Sequence, residues 1–357
     1  MQIDDYVVSG HGSPLAELAT SLSSVGDYPA VVAACQRSID STGESELALE
    51  VLGLAAHAMG RHEEALGYAQ RLLDVATSHE GSARAHRHMA ARLWDIDLRK
   101  NWSRIRVLLE QGRAIAPDAT DEYVAQTTMA GDFALCRREF ELGRALLAEA
   151  ADRLREVDDK RLAAGLSAHV GIGEARDLMG RGLMDEAAQR LRSELEHLKL
   201  YGDRYGEALV VGQLARVARV GGDPRRGDEM LAHQLAVLDR VKPAGFQDWT
   251  AVELELRYYL GECALGAEDY GRAREELELV ASTATSTGST EVAAEAVYLL
   301  LWVSVLGVDR DATLATLDRF ERLVDRPGYE DMRVDLLNLK RSRRFRNLMN
   351  PTRAANP

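Results

Sequence analysis

The sequence predicts an all-α chain of stacked helical hairpins, and three observations carry that prediction. Proline is scarce, at 8 of 357 residues, and strand-type alternation of apolar and polar residues is nearly absent. Ala/Leu/Glu/Arg segments with apolar residues three and four apart follow one another along the chain. Small residues and glycines recur at matching points of these segments, 34 to 46 residues apart. Hydrophobic residues make up 46% and charged residues 28%, so the chain can bury a core and lies far from the composition of disordered segments.

The template is residues 46–76, ELALEVLGLAAHAMGRHEEALGYAQRLLDVA. Leu52-Gly53, Ala56, Gly60, Ala65 and Ala69 reproduce the spacing of a tetratricopeptide (TPR) motif, which this segment resembles closely. The pattern has a physical reason, since two antiparallel helices approach closely only where the facing residues are small. The resemblance implies a right-handed α-solenoid, a TPR-like superhelix of helix-turn-helix units.

Carried along the chain, the small site of the first helix falls on Ala19, Gly53, Leu93, Gly131, Ala175, Ala215, Gly261 and Leu300. Its partner on the second helix falls on Val31, Ala65, Ile105, Gly143, Ala187, Gly227, Ala273 and Ala312. The turn position is Gly26, Gly60, Lys100, Arg138, Gly182, Gly222, Glu268 and Gly307. Eight hairpins result, with repeats mostly longer than the strict 34-residue unit. Lengthened repeats of this kind resemble those of bacterial regulatory TPR domains, among them sensor domains of large transcription activators and peptide-pheromone receptors. The third unit, Arg92 to Pro117, carries large residues at both small sites, with Asn101-Trp102 at its turn and Pro117 as its terminator.

Ser13-Pro14 and Asp223-Pro224 read as helix starts, a capping side chain before a proline at the first helical position. The stretch Ser282 to Thr290 reads as a flexible inter-repeat loop. Asp325-Arg326-Pro327-Gly328 ends the repeats, and Met332, Leu336 and Leu339 then recur at helical spacing. The expected organisation is a repeat domain over 1–328, a capping helix over 329–349 that covers the last apolar face, and a disordered tail over 350–357.

A formal net charge of −13 argues against direct nucleic-acid binding, because a polyanion is repelled. Cys35, Cys136 and Cys263 form no CxxC or Cys/His cluster and read as small core residues rather than a disulfide or zinc framework. The opening MQIDDYVVSGHG is acidic with no apolar stretch after it, unlike a secretory signal, so a cytoplasmic protein is expected. The longest apolar run, 296–303, is far short of the ~20 residues that cross a bilayer.

No catalytic set is visible, and neither an enzyme, a cofactor nor a metal is expected. Gly171-Ile172-Gly173 has Arg176 where a dinucleotide fingerprint needs its third glycine. His86 and His88 point about 200° apart on a helix, cannot share a metal, and read as solvated. An enzyme would require Asp132, His169 and Arg176 to converge inside the coil.

What remains is the inner face. In TPR proteins the first helix of each hairpin lines the concave groove, which here implies His57, Arg87, Trp94, Asp97, Thr128, Asp132, His169, Arg176, Arg216, Arg219, Tyr258 and Glu262. The ligand-binding candidates are Trp94, Asp97, Asp132, His169, Arg176, Arg216, Arg219, Tyr258 and Glu262. Arg176, Arg216 and Arg219 come from adjacent repeats and suit a carboxylate or acidic peptide, against the alternative that each pairs with Glu207, Asp177 or Asp223. Trp94 and Tyr258 offer aromatic contacts or serve packing. The Lys/Asn clamp of chaperone-binding TPR proteins is absent from these positions. The basic run Lys340 to Arg346 complements a helix C-terminus or meets an acidic partner.

Two expectations follow. One is a non-catalytic scaffold that holds a protein or peptide in the groove. The other is a sensor in which a peptide or small ligand changes superhelical pitch and switches a partner protein. Neither the ligand nor the oligomeric state is legible.

Overall fold

The computed structural model describes residues 13–23, 25–116, 120–240 and 249–349; among these every regular element is a helix. Seven hairpins have a distinct turn: α1 (Pro14–Ser23) with α2 (Tyr28–Thr42), α3 (Glu46–Ala58) with α4 (His62–Val75), and α6 (Thr120–Cys136) with α7 (Phe140–Arg153). A single 3₁₀ turn (Leu154–Glu156) then leads to α8 (Lys160–Gly180) with α9 (Met184–Tyr201), α10 (Arg204–Val220) with α11 (Pro224–Leu238), α12 (Trp249–Gly266) with α13 (Tyr270–Thr287), and α14 (Thr290–Leu306) with α15 (Arg310–Val324). The third unit is α5 (His79–Ile115), which runs on through a single extended residue, Asp97, instead of turning at Lys100. Asp97 accepts a hydrogen bond from the Lys100 amide, and Asn101 Nδ2 donates to the Leu93 and Asp97 carbonyls, so side chains satisfy the backbone groups freed at this break. Pro117, the expected terminator, lies outside the described residues, as do the opening segment 1–12 and the tail 350–357.

The small-residue register is a set of real crossings. A Cβ at Gly131 would lie 3.3 Å from the Gly143 carbonyl oxygen, and one at Gly143 would lie 3.1 Å from that of Gly131. A Cβ at Gly227 would lie 2.8 Å from both the Ala215 carbonyl oxygen and Cys263 Sγ. Gly171 and Gly173 are likewise packing residues in the middle of α8, where a Cβ would meet Glu194 and Leu147 side chains at 2.7 Å.

The turns are equally regular. Gly26, Gly60, Gly182, Gly222, Arg138 and Glu268 all adopt positive φ, as the predicted turn position requires. In the eighth hairpin that conformation falls one residue later, on Val308 (φ 59°) instead of Gly307. A β-branched residue is strained there, and Val308 is exposed, so no packing compensates. Val308→Gly is therefore expected to stabilise the protein by about 1 kcal/mol, measured as a higher urea midpoint at unchanged slope; an unchanged or lower midpoint contradicts the strain.

Capping follows the sequence reading. Ser13 Oγ accepts from the Ala16 amide, and Asp223 from the Arg226 amide ahead of Pro224. The Ser/Thr-rich stretch is a correction: it is not a loop, since α13 continues to Thr287 and ends on Gly288 in the left-handed region. Its hydroxyls bond back into the helix, Thr285 to the Ala281 carbonyl and Thr287 to that of Thr283, which leaves the backbone ladder intact.

After the repeats the expected single helix is two, α16 (Glu330–Arg341) and α17 (Arg343–Met349), divided at Ser342, whose hydroxyl accepts from the Phe345 amide. Tyr329, Met332, Leu336, Leu339 and Phe345 pack on the last hairpin against Phe320 and Val324. No helix among the described residues is long and apolar enough to cross a membrane.

Ion pairs link successive repeats. Arg84 meets Glu50, Arg87 meets Glu122, Arg144 meets Asp177, Arg272 meets Asp228 and Arg274 meets Asp309, each about one repeat apart. The Arg87–Glu122 pair is buried and bidentate, at 2.8 and 3.0 Å. Its two-point geometry fixes how the two units sit, whereas the exposed pairs of this series add little stability.

Candidate functional site

The coil closes on itself. Arg99, two residues past the α5 break, reaches α14 and α16 and places its guanidinium 2.9 Å from Glu291, 3.7 Å from Glu295 and in contact with Asp331. The Tyr329 ring lies 5.7 Å from the same guanidinium. Gly328 (φ 93°) lies so close that a Cβ would sit 2.9 Å from the Arg99 carbonyl oxygen. Glycine is needed there twice over, for its conformation and for its lack of a side chain.

Behind this bridge lies a cavity of about 710 Å³, walled by α5, α6, α8, α10, α12 and α14. These are the first helices of successive units, the face that a repeat superhelix turns inward. Leu98, Leu135, Leu209, Val252 and Val292 form its apolar wall, and Trp94, Tyr205, Tyr258 and Tyr259 supply rings. Charge is contributed by Arg176 and Arg216 and by Asp95, Asp177, Glu255, Glu262, Glu291 and Glu295. The volume falls in the range that holds drug-sized or short peptide ligands, roughly 300–1,000 Å³.

Of the nine candidates, Trp94, Arg176, Arg216, Tyr258 and Glu262 line the cavity. Asp97, Asp132 and His169 do not: each is at most 4% exposed, because the coil is too tight to bare them. Asp97 serves the α5 break, and Asp132 accepts a 2.7 Å hydrogen bond from Arg176. Arg219 pairs with Glu262 at 3.1 Å behind the wall. Two of the three arginines are thus neutralised by carboxylates one repeat away, and not by Glu207, Asp177 or Asp223. Arg216 differs. Its guanidinium lies over the Tyr259 ring at 5.9 Å and faces the cavity, with no carboxylate of the described residues within ion-pair distance.

Other expectations need correction. His57 and Thr128 are fully buried, and Arg87 is committed to Glu122. His86 and His88 are not solvated but 7% exposed, with His86 Nδ1 at 2.7 Å from the Ser82 carbonyl. Cys136 is not a core residue; it is exposed on the cavity wall, where desolvation and then Asp132 push its thiol up to about 12.

The acids of the cavity are held differently. Glu255 is fixed by Gln213 Nε2 at 3.0 Å and by the Tyr259 hydroxyl at 2.9 Å. Desolvation raises the carboxyls of Glu262, Glu291 and Glu295 above the ordinary range; Glu291 is raised further by Glu295, and Glu295 by Glu262. Arg99 opposes the shift at Glu291 and Glu295, as Arg219 and Arg216 do at Glu262. Desolvation also lifts the Tyr258 hydroxyl well above its usual value, so it stays a hydrogen-bond donor.

No family model matches the sequence, and no curated protein matches it. Solved structures do. A Rap protein complexed with competence and sporulation factor superposes at a TM-score of 0.60 and 13% identity, over 95% of this chain and 97% of that one. A signal-transduction ATPase (STAND) with a tetratricopeptide repeat sensor from Pyrococcus horikoshii gives 0.50 and 14%, over 91% of this chain and 52% of that one. A tetratricopeptide repeat protein from Parabacteroides merdae gives 0.47 and 14%, over 79% and 97%. The fold is a TPR-like helical-repeat solenoid.

Proposed function

We propose that this protein is a non-catalytic binding module that takes a short peptide into the interior cavity and not a folded domain into an open groove. The observation that carries the reading is the closed coil: the inward faces of six units surround about 710 Å³, room for a few residues of extended chain. Arg216 supplies the one cavity guanidinium left for a ligand carboxylate, and Trp94 and Tyr258 supply flat apolar contact. The Rap neighbour was solved with its factor bound, which supports the reading by analogy of fold.

A sensor role is favoured by one feature. Glu291 and Glu295 face the cavity and also hold Arg99 of the closing bridge. A ligand that engages them competes with the bridge, so occupancy and closure of the coil are coupled. The output then passes to a partner protein through the changed superhelix.

A thermal-shift screen with pools of short peptides tests the reading. The expected result is stabilisation by a subset with a free carboxylate, and binding at least tenfold weaker in Arg216→Ala at unchanged helicity. That loss corresponds to one charge-assisted hydrogen bond of about 1.5–3 kcal/mol. No stabilisation by any pool, or equal binding by the variant, refutes it.

A further inference from the structure

We propose that His57, His62 and Asp95 form a binding site for a divalent transition-metal ion of the zinc class, with one coordination position open to the cavity. Spacing along the chain hides this site, because its three residues come from α3, α4 and α5. His57 is one residue from the end of α3 and His62 is the first of α4, and the turn at Gly60 (φ 70°) folds their rings to 5.6 Å between centroids. Asp95 reaches them from α5, two residues before the break at Asp97.

The separations suit a shared ion. Nδ1 of each imidazole lies 3.8 Å from Asp95 Oδ2, and one donor atom from each residue falls within 4.8 Å of the others. Two ligands ~2.0–2.2 Å from one ion at tetrahedral to trigonal angles stand roughly 3.3–3.8 Å apart. His57, His62 and Asp95 have side-chain exposures of 0%, 7% and 11%. Such burial favours fixed ligands over solvated ones.

Two imidazoles and a carboxylate are the donor set of zinc-type ions, and no thiolate is present to select a softer one. His62 and Asp95 line the cavity whereas His57 lies behind them, so the remaining coordination position faces the cavity space. Arg92, whose Nε is 3.5 Å from Asp95 Oδ2, orients that carboxylate, at the cost of some repulsion of the cation. An ion here adds a Lewis-acidic anchor to the cavity wall.

The full chain, stripped with chelator and dialysed against Zn²⁺ or Co²⁺, is assayed for metal by mass spectrometry and for affinity by calorimetry. One equivalent per chain is expected. His62→Ala and Asp95→Asn are each expected to weaken binding at least tenfold, while His86→Ala, at an imidazole on a backbone carbonyl, retains it. Helicity by circular dichroism separates loss of ligands from loss of fold, with His62→Gln as a milder second variant. The inference is overturned if the wild-type chain retains no more metal than a folded His62 or Asp95 variant, or if His86→Ala loses as much as they do.

Discussion

Arg99→Met is expected to unfold at a lower urea concentration than the wild type, by about 2–3 kcal/mol at a pH above about 8 where Glu291 is ionised, and to open the coil. Arg99 is 19% exposed and faces Glu291, which is 20% exposed, so its removal leaves a carboxylate in a desolvated site without its cation. The estimate lies below the ~3–5 kcal/mol of a fully buried pair because Glu295 and Asp331 are more open to solvent. The pH dependence has a definite sign. Desolvation already holds the folded-state pKa of Glu291 and Glu295 above the unfolded value, so their ionisation costs stability as pH rises. Removing Arg99 raises them further, so the deficit against wild type is expected to grow as pH rises through and above about 8, the value to which Glu291 is raised in the wild type, and to shrink below it. The radius of gyration from small-angle scattering should increase, since the bridge joins segments 192 to 232 residues apart. A stable variant of unchanged dimensions contradicts the closure.

Gly227→Leu is expected to cost about 3 kcal/mol or more, near the top of the overpacking range. The nearest atoms to its Cβ are the Ala215 backbone carbonyl and Cys263 Sγ, each at 2.8 Å, and a helix backbone cannot yield as a side chain does. Gly67→Ala is the matched control. That glycine is exposed on α4 with nothing within 4 Å, so the substitution is expected to stabilise by about 0.5–1 kcal/mol through helix propensity alone. Both are read from thermal unfolding. Equal effects would deny the tight crossing on which the repeat rests.

The repeat was legible because its determinants are local: a hairpin needs small residues where its helices cross and a left-handed residue at its turn. Gly131 facing Gly143 and positive φ at Gly60, Gly182 and Gly222 meet those needs. The third unit escaped because Asp97 and Asn101 terminate a helix through side-chain hydrogen bonds, with no glycine to announce it. The Ser282–Thr290 reading failed because hydroxyls that compete with a helix in isolation bond back into one that tertiary packing already holds.

The inner face was legible only in part. A helical register identifies the inward side of each helix, but whether Asp132 or His169 is bare there depends on how tightly the coil winds. The cross-repeat pairs were within reach: Arg176 lies 44 residues from Asp132, and Arg219 lies 43 from Glu262, each one lengthened repeat. Carboxylates one repeat away are neighbours in a solenoid, a closer guide than proximity in sequence. The Arg99 bridge and the His57, His62 and Asp95 cluster had no such signal, since contacts between distant units depend on the full superhelical path.

The central claim is that the closed coil holds a short ligand against Arg216. Native mass spectrometry of the wild type and Arg216→Glu, each incubated with one pool of short peptides and desalted, tests it most directly. The predicted result is a bound mass of a few residues on the wild type and none on a variant of equal helicity; equal retention by both proteins, or retention by neither, contradicts it.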